Sequence, residues 1–209
     1  MKIFLIFLLF SNFLICESLT NKKQHSPEKQ YWIKIFKENP DFQSKGFIFP
    51  VGKGKAKGYY IAQNFRQKNK HFGDNYHLGE DWNGNGGGNT DYGDPILAIS
   101  NGLVVYTGFG GPGWGDVIRV IHYLGNKNSN PIFMESIYGH VSKTFVNEGD
   151  LISKGKKIAE IGDAGGIYYA HLHLELRTDP EMELGGGYAK ETRGFIEPKK
   201  YIKKHFNLK

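Results

Sequence analysis

Two short clusters of imidazoles and carboxylates carry most of the chemistry legible in this 209-residue chain. The segment Ala170-His171-Leu172-His173-Leu174-Glu175-Leu176-Arg177 alternates with period two. A strand sends successive side chains to opposite faces, so Leu172, Leu174 and Leu176 share one face and His171, His173, Glu175 and Arg177 the other. Two imidazoles side by side on a rigid strand suit one metal ligand and one acid/base group. Upstream, His77-Leu78-Gly79-Glu80-Asp81 places a His and an Asp four apart around a glycine turn that can bring both to one point. Catalytic zinc commonly takes three His or carboxylate ligands and keeps one position open. His77, Asp81 and one histidine of the later strand would complete such a set. In Ile137-Tyr138-Gly139-His140, alternation predicts Tyr138 and His140 on the same face of a short strand. There His140 could act as a further general acid/base or oxyanion donor.

The other polar candidates have plainer readings beside them. His122 shares a strand face with Ile118 and Val120, which points to the core. His25 and His205 lie near the ends and read as solvated. Glu80, Asp74, Asp91 and Asp94 read as turn acids. Glu175 can orient a neighbouring imidazole, pair with Arg177 or face solvent.

The elements that must position these groups are mainly β. Apolar runs predict strands at Ile96–Ile99, Leu103–Thr107, Val117–Tyr123, Ile137–Val141, Lys157–Ile161 and Leu172–Arg177. Gly, Asn, Asp and Pro turns separate them, as in an antiparallel sheet or sandwich. Gly84 to Asn89 reads as a loop too flexible to pack, and Asn126 to Pro131 as a loop between two strands. Ser26-Pro27-Glu28 opens a short helix: Ser caps, Pro suits the first position and Glu complements the N-terminus. Tyr31, Trp32, Ile35 and Phe36 fall on one face of it, and Pro40 stops it. The N-terminus, Met1-Lys2 followed by an apolar run to Ile15, reads as an export signal shorter than the ~20 apolar residues of a spanning helix. Cys16 is the lone cysteine. It is either a lipidated anchor or a thiol lost with the leader, and in both cases the mature body has no disulfide. The division expected is 1–16 signal peptide, 17–41 linker and short helix, and 42–209 main domain.

Composition bounds the rest. Hydrophobic residues at 39% suffice for a core, and 28 glycines with 14% aromatics favour strands and turns over a helical bundle. A net charge of +6 suits an acidic polymer, an anionic membrane or nucleic acid. No nucleic-acid-binding motif accompanies it, so a nucleic-acid partner is not expected.

Taken in order, His-x-x-x-Asp, Tyr-x-His and His-Leu-His resemble peptidase family M23, the lysostaphin- and LytM-type peptidoglycan endopeptidases. The likeness spans about Gln63 to Tyr201. It includes Gly93-Asp94-Pro95-Ile96-Leu97-Ala98, Asn101-Gly102-Leu103-Val104 and a later hairpin around Gly149-Asp150 and Lys154-Gly155. The resemblance implies an antiparallel sheet with a groove across it and one Zn²⁺ held by His77, Asp81 and His173. It implies His140 and His171 as catalytic bases or charge stabilisers. It also implies cleavage of peptide cross-links in bacterial peptidoglycan, in the periplasm or cell envelope. His71 lacks an Asp at the family's spacing and ranks behind His77 as a ligand. Gly165 to Ala170 replaces the family's usual Ser/Thr-Gly-Pro-like turn, and this segment and the Asn126–Pro131 loop are expected to flank the groove. Two other readings stand beside the enzyme. One is an M23-like scaffold that binds cell wall or regulates another hydrolase without catalysis. The other rests on Val146 to Gly155, which resembles a hairpin of lipoyl- and biotinyl-carrier domains but lacks their exposed lysine turn.

Overall fold

The computed structural model describes residues 25–208, so the leader and Cys16 lie outside the described residues. Helix α1 (Pro27–Glu38) begins where the capping chemistry puts it: the Ser26 hydroxyl accepts from the Lys29 amide at 3.1 Å, with Pro27 in the first turn. Thirteen strands follow among the described residues. They are β1 (Tyr59–Gln63), β2 (Lys68–Asn69), β3 (Asn75–His77), β4 (Glu80–Gly84), β5 (Pro95–Leu97) and β6 (Gly102–Phe109). Then come β7 (Asp116–Lys127), β8 (Asn130–Thr144), β9 (Leu151–Ile152), β10 (Lys157–Ile161), β11 (Leu172–Arg177), β12 (Tyr188–Ala189) and β13 (Phe195–Ile196). A second helix, α2 (Pro198–Lys204), closes the chain and is absent from the sequence expectation. No helix among the described residues is long and apolar enough to cross a membrane.

The main antiparallel sheet runs β1-β4-β11-β8-β7-β6-β9, with β5, β10 and β13 attached, and a small sheet β12-β3-β2 stands beside it. The expected mainly-β antiparallel architecture is therefore present. One face carries Leu172, Leu174, Leu176, Tyr138, Val104 and Trp82, packed beneath Phe47 to Val51, the β5–β10 pair and Ile202 of α2. The opposite face changes character along β8. Phe133 sits under α1, Glu135 lies in a buried ion network, Ile137 packs on Trp114, and Gly139 borders the histidines. A single long strand thus connects an apolar end, a charged middle and a chemical end.

Several expectations are corrected by the packing. The β7–β8 hairpin runs through the Asn126–Pro131 segment with a turn at Asn128-Ser129, where both residues take the left-handed φ (50° and 62°) that two-residue hairpins favour. Its tip lies beside Phe36 of α1, away from the histidines, so it does not flank the groove. Gly84 to Asn89 is tied at its two ends, while Asn85, Gly86 and Gly88 between them are exposed: Gly84 N–H donates to Asp91 at 2.7 Å, and Asn89 accepts from the Ala170 amide at 2.8 Å. Strand β5 starts and stops earlier than Ile96–Ile99 because the Ile99 amide turns to the Tyr138 hydroxyl at 3.0 Å. On α1, Trp32 and Phe36 are buried against Phe133, Leu103 and Ile121, while Tyr31 is 49% exposed and not part of that face.

Helix docking therefore depends on Phe36 rather than Tyr31. Phe36→Ala should cost about 3 kcal/mol or more in urea unfolding, and Tyr31→Ala less than about 0.5 kcal/mol. Equal losses would contradict this packing.

Candidate metal centre

The main sheet brings two of the sequence candidates together by register. Asp81 on β4 pairs directly with His173 on β11, which pairs with Gly139 on β8. His77 arrives from the small sheet on β3. The His77 Nε2, Asp81 Oδ1 and His173 Nδ1 atoms lie 2.9–3.3 Å from one another. All three side chains are buried, and together they form a group able to hold a metal ion.

The hydrogen bonds around the two imidazoles decide what that group needs. His77 Nδ1 faces the Asn64 carbonyl at 3.3 Å, and His173 Nε2 faces Glu175 Oε1 at 3.2 Å. Oxygen accepts in both contacts, so each neutral ring commits its proton outward. Lone pairs of His77 Nε2, His173 Nδ1 and Asp81 Oδ1 then converge on one point, which requires a cation. Burial works against a charged ring at His173, yet Asp81 and Glu175 outweigh it and raise its pKa to about 9. Burial likewise opposes charge on Asp81, but the two imidazoles hold its carboxyl well below the usual range. A proton can therefore occupy this site, and the donor set of two imidazoles and a carboxylate also fits a divalent metal such as zinc.

The other two histidines stand beside this point. His140 Nδ1 donates to the Trp114 carbonyl at 3.0 Å, and the His140 amide donates to the same oxygen at 2.9 Å. Its ring centroid is 4.5 Å from that of His171. Burial, with His171 and His173 nearby, lowers the His140 pKa to about 3, so the ring is neutral with Nε2 as an acceptor. His171 Nδ1 donates to the Tyr169 carbonyl at 2.7 Å, leaving Nε2 at 3.7 Å from Asp81 Oδ1. His140 does not share a face with Tyr138. Tyr138 lies in the core, while His140 takes φ 58° and the β7–β8 register slips beside it. That left-handed residue breaks the period of two and turns the imidazole to the chemical face.

Close backbone approach explains two glycines. A Cβ at Gly79 would lie 2.5 Å from the Leu174 carbonyl and 2.9 Å from His173 Nε2, and so would split the His173–Glu175 contact. A Cβ at Gly139 would lie 2.9 Å from the Trp114 ring, which meets His173 edge-on at 4.9 Å. Glu175 is fully buried, accepting at Oε2 from Arg177 Nη2 at 2.8 Å. Of its three readings the solvated one fails, and orientation of an imidazole and pairing with Arg177 hold together.

A groove of about 440 Å³ opens over the centre, walled by Trp114, Tyr168, Gly187 and Tyr188. It continues past Asp81 and His171 between Asn83, Asp163 and Tyr169, so the Gly165–Ala170 segment does flank it. His71 lines the groove but lies outside the ligand group. A larger cleft of about 730 Å³ beside α1 contains no convergent ligand set. Trp114, Tyr168 and Tyr188 were not among the sequence candidates. Their signal was an aromatic set in a glycine run, as in Gly110 to Gly115 and Gly185 to Tyr188.

Comparison with known proteins agrees with this geometry. The chain is 38% identical over 85 residues to the lipoprotein NlpD/LppB homolog of Pseudomonas aeruginosa, covering 41% of this chain and 26% of that protein. The matched segment is therefore about a quarter of the relative's length. The fold superposes on lysostaphin from Staphylococcus simulans, described as an antimicrobial peptidase, with TM-score 0.55 at 20% identity over 80% of this chain and 57% of that one. A zinc containing peptidase from Vibrio cholerae matches with TM-score 0.50 at 27% identity over 64% of this chain and 37% of that one. The model of peptidase family M23 matches residues 75–183, a span that holds His77, Asp81, His140, His171 and His173. This chain belongs to peptidase family M23.

Proposed function

We propose that this protein is a zinc metalloendopeptidase that hydrolyses peptide cross-links of bacterial peptidoglycan. The observation that carries the reading is the convergence of His77 Nε2, Asp81 Oδ1 and His173 Nδ1, with two further imidazoles alongside. In this reading His77, Asp81 and His173 are the ligands of one ion, and His140 and His171 are the catalytic residues. A divalent ion held there would polarise a carbonyl and lower the pKa of water toward neutrality. The neutral His140 Nε2 can accept a proton, and its depressed pKa means that it gives the proton up readily to a leaving amine. His171 presents Nε2 to the same space and can share the transfer or stabilise developing charge. Tyr168 packs beside both rings, and Trp114 meets His173 edge-on.

Continuity of the groove on both sides of Asp81 and His171 favours cutting within a chain rather than trimming an end. A basic chain of net charge +6 suits an acidic wall polymer. The Vibrio neighbour's description supports zinc, and the Pseudomonas relative's name supports an envelope protein with a lipid anchor. We accordingly assign residues 1–16 as an export signal, residues 17–41 as linker and docking helix, and residues 42–209 as the peptidase domain. Membrane contact would come only through lipidated Cys16. The competing scaffold reading has one supporting observation: the Pseudomonas relative's name carries no peptidase activity.

Digestion of purified peptidoglycan separates the two readings. The protein should release fragments that mass analysis assigns to a cut peptide bridge, and a chelator should abolish release. Absence of release from every wall type favours the scaffold, and release insensitive to chelator contradicts the metal-dependent mechanism. His173→Ala should lose both bound zinc and activity. His171→Ala should keep the metal and lose turnover, and full activity in that variant would remove His171 from the catalytic set.

Metal affinity should also depend on pH, with a defined sign. Because the His173 pKa is raised to about 9, the apo site holds a proton below that value which the metal must displace. Apparent affinity should therefore rise about tenfold per pH unit up to about 9 and then level off. Competition against a chromophoric chelator measures this, and flat affinity between about pH 6 and pH 8 would contradict it.

A further inference from the structure

Arg177 touches neither the groove nor solvent, yet both edges of its guanidinium are committed. Toward the metal centre, Nε and Nη2 donate to Glu175 Oε2 at 3.1 and 2.8 Å, while Glu175 Oε1 accepts from His173 Nε2 at 3.2 Å. Away from it, Nη1 donates to the Glu183 carbonyl at 2.8 Å, and Nη2 also donates to the Leu184 carbonyl. Arg119 acts in parallel without touching Glu175: Nε donates to Glu135 at 2.6 Å and Nη2 to the Met182 carbonyl at 3.0 Å. The captured carbonyls belong to the segment that becomes the groove wall. Its next residues give the Gly185 carbonyl to Trp114 Nε1 at 2.9 Å and the Gly187 carbonyl to the Leu78 amide at 2.9 Å.

We propose that Arg177 is a positioning residue that couples the metal centre to the 180–187 groove wall, so that metal occupancy and an ordered wall stabilise each other. This deepens the metal reading above and rests on it. Glu175 sets which nitrogen of His173 faces the metal, and Arg177 fixes Glu175. The same planar fork pins the wall, which a lysine's single charge point cannot do simultaneously. Removing either member of the buried Arg177–Glu175 pair would leave the other as an unpaired buried ion, which is strongly destabilising. Strain at one edge of the fork is therefore felt at the other. Coupling between two sites is reciprocal, so it can be read from either end.

Deuterium exchange of segment 180–185 in the full chain, with and without saturating zinc, tests this. In the wild type, zinc should slow exchange there by about fivefold or more. Arg177→Lys should bind zinc about 10–100-fold more weakly and, once saturated, show no slowing. Arg119→Lys should loosen the segment and, by the same reciprocity, weaken zinc binding by up to about fivefold. If Arg177→Lys does not fold, the wild-type and Arg119→Lys measurements still decide. Unchanged wild-type exchange on zinc binding, equal slowing in saturated Arg177→Lys, or an unchanged zinc affinity in an Arg119→Lys protein whose segment is loosened would each overturn the coupling. Zinc binding without a wall response overturns the coupling alone, whereas no zinc binding by the wild type overturns the metal reading as well.

Discussion

Three lone pairs aimed at one another are the constraint on which the rest of this structure depends. Two imidazole nitrogens and a carboxylate oxygen within 3.3 Å repel unless a cation lies among them. Their outward protons are already committed to the Asn64 carbonyl and Glu175, so the rings cannot relieve the conflict by changing tautomer without leaving buried acceptors unpaired. The surroundings make sense as devices for holding this arrangement. Register places Asp81 opposite His173, Gly79 and Gly139 allow backbone and rings to close in, and Glu175 fixes the direction of His173.

Behind the site, charge is organised as carefully as apolar packing. Glu175, Arg177, Glu135 and Arg119 form a chain of ion pairs beneath the groove, with all but Arg119 fully buried. Such a chain is weak evidence for stability. Its value lies in directional specificity, since each guanidinium also captures backbone carbonyls between Met182 and Leu184. The apolar layer on the other face supplies the driving force, and the charged layer supplies orientation.

Much of this was legible in the residues themselves. Alternation in Leu172 to Arg177 correctly separated a leucine core face from a polar face, because a regular strand between two neighbours obeys a period of two. The Ser26 cap and Pro27 located α1 to the residue, since capping is local chemistry. The failures share a cause: they depend on backbone conformations that residue type alone does not announce. His140 turns to the site only through a left-handed bulge, and Asn128-Ser129 makes a hairpin of what reads as a loop. Tyr31 and Phe36 looked equivalent on a helical wheel, and only tertiary docking distinguishes them. Trp114, Tyr168 and Tyr188 carry only a weak signal, aromatics in or near glycine runs, because contacts distant in sequence decide where such segments lie.

The most direct measurement of the central claim is anomalous diffraction at the zinc absorption edge from crystals grown with the metal. It should show one ion bonded to His77 Nε2, Asp81 Oδ1 and His173 Nδ1, with His140 and His171 unbonded beside an open position. An ion held elsewhere, or none at that point at saturating zinc, would contradict the account.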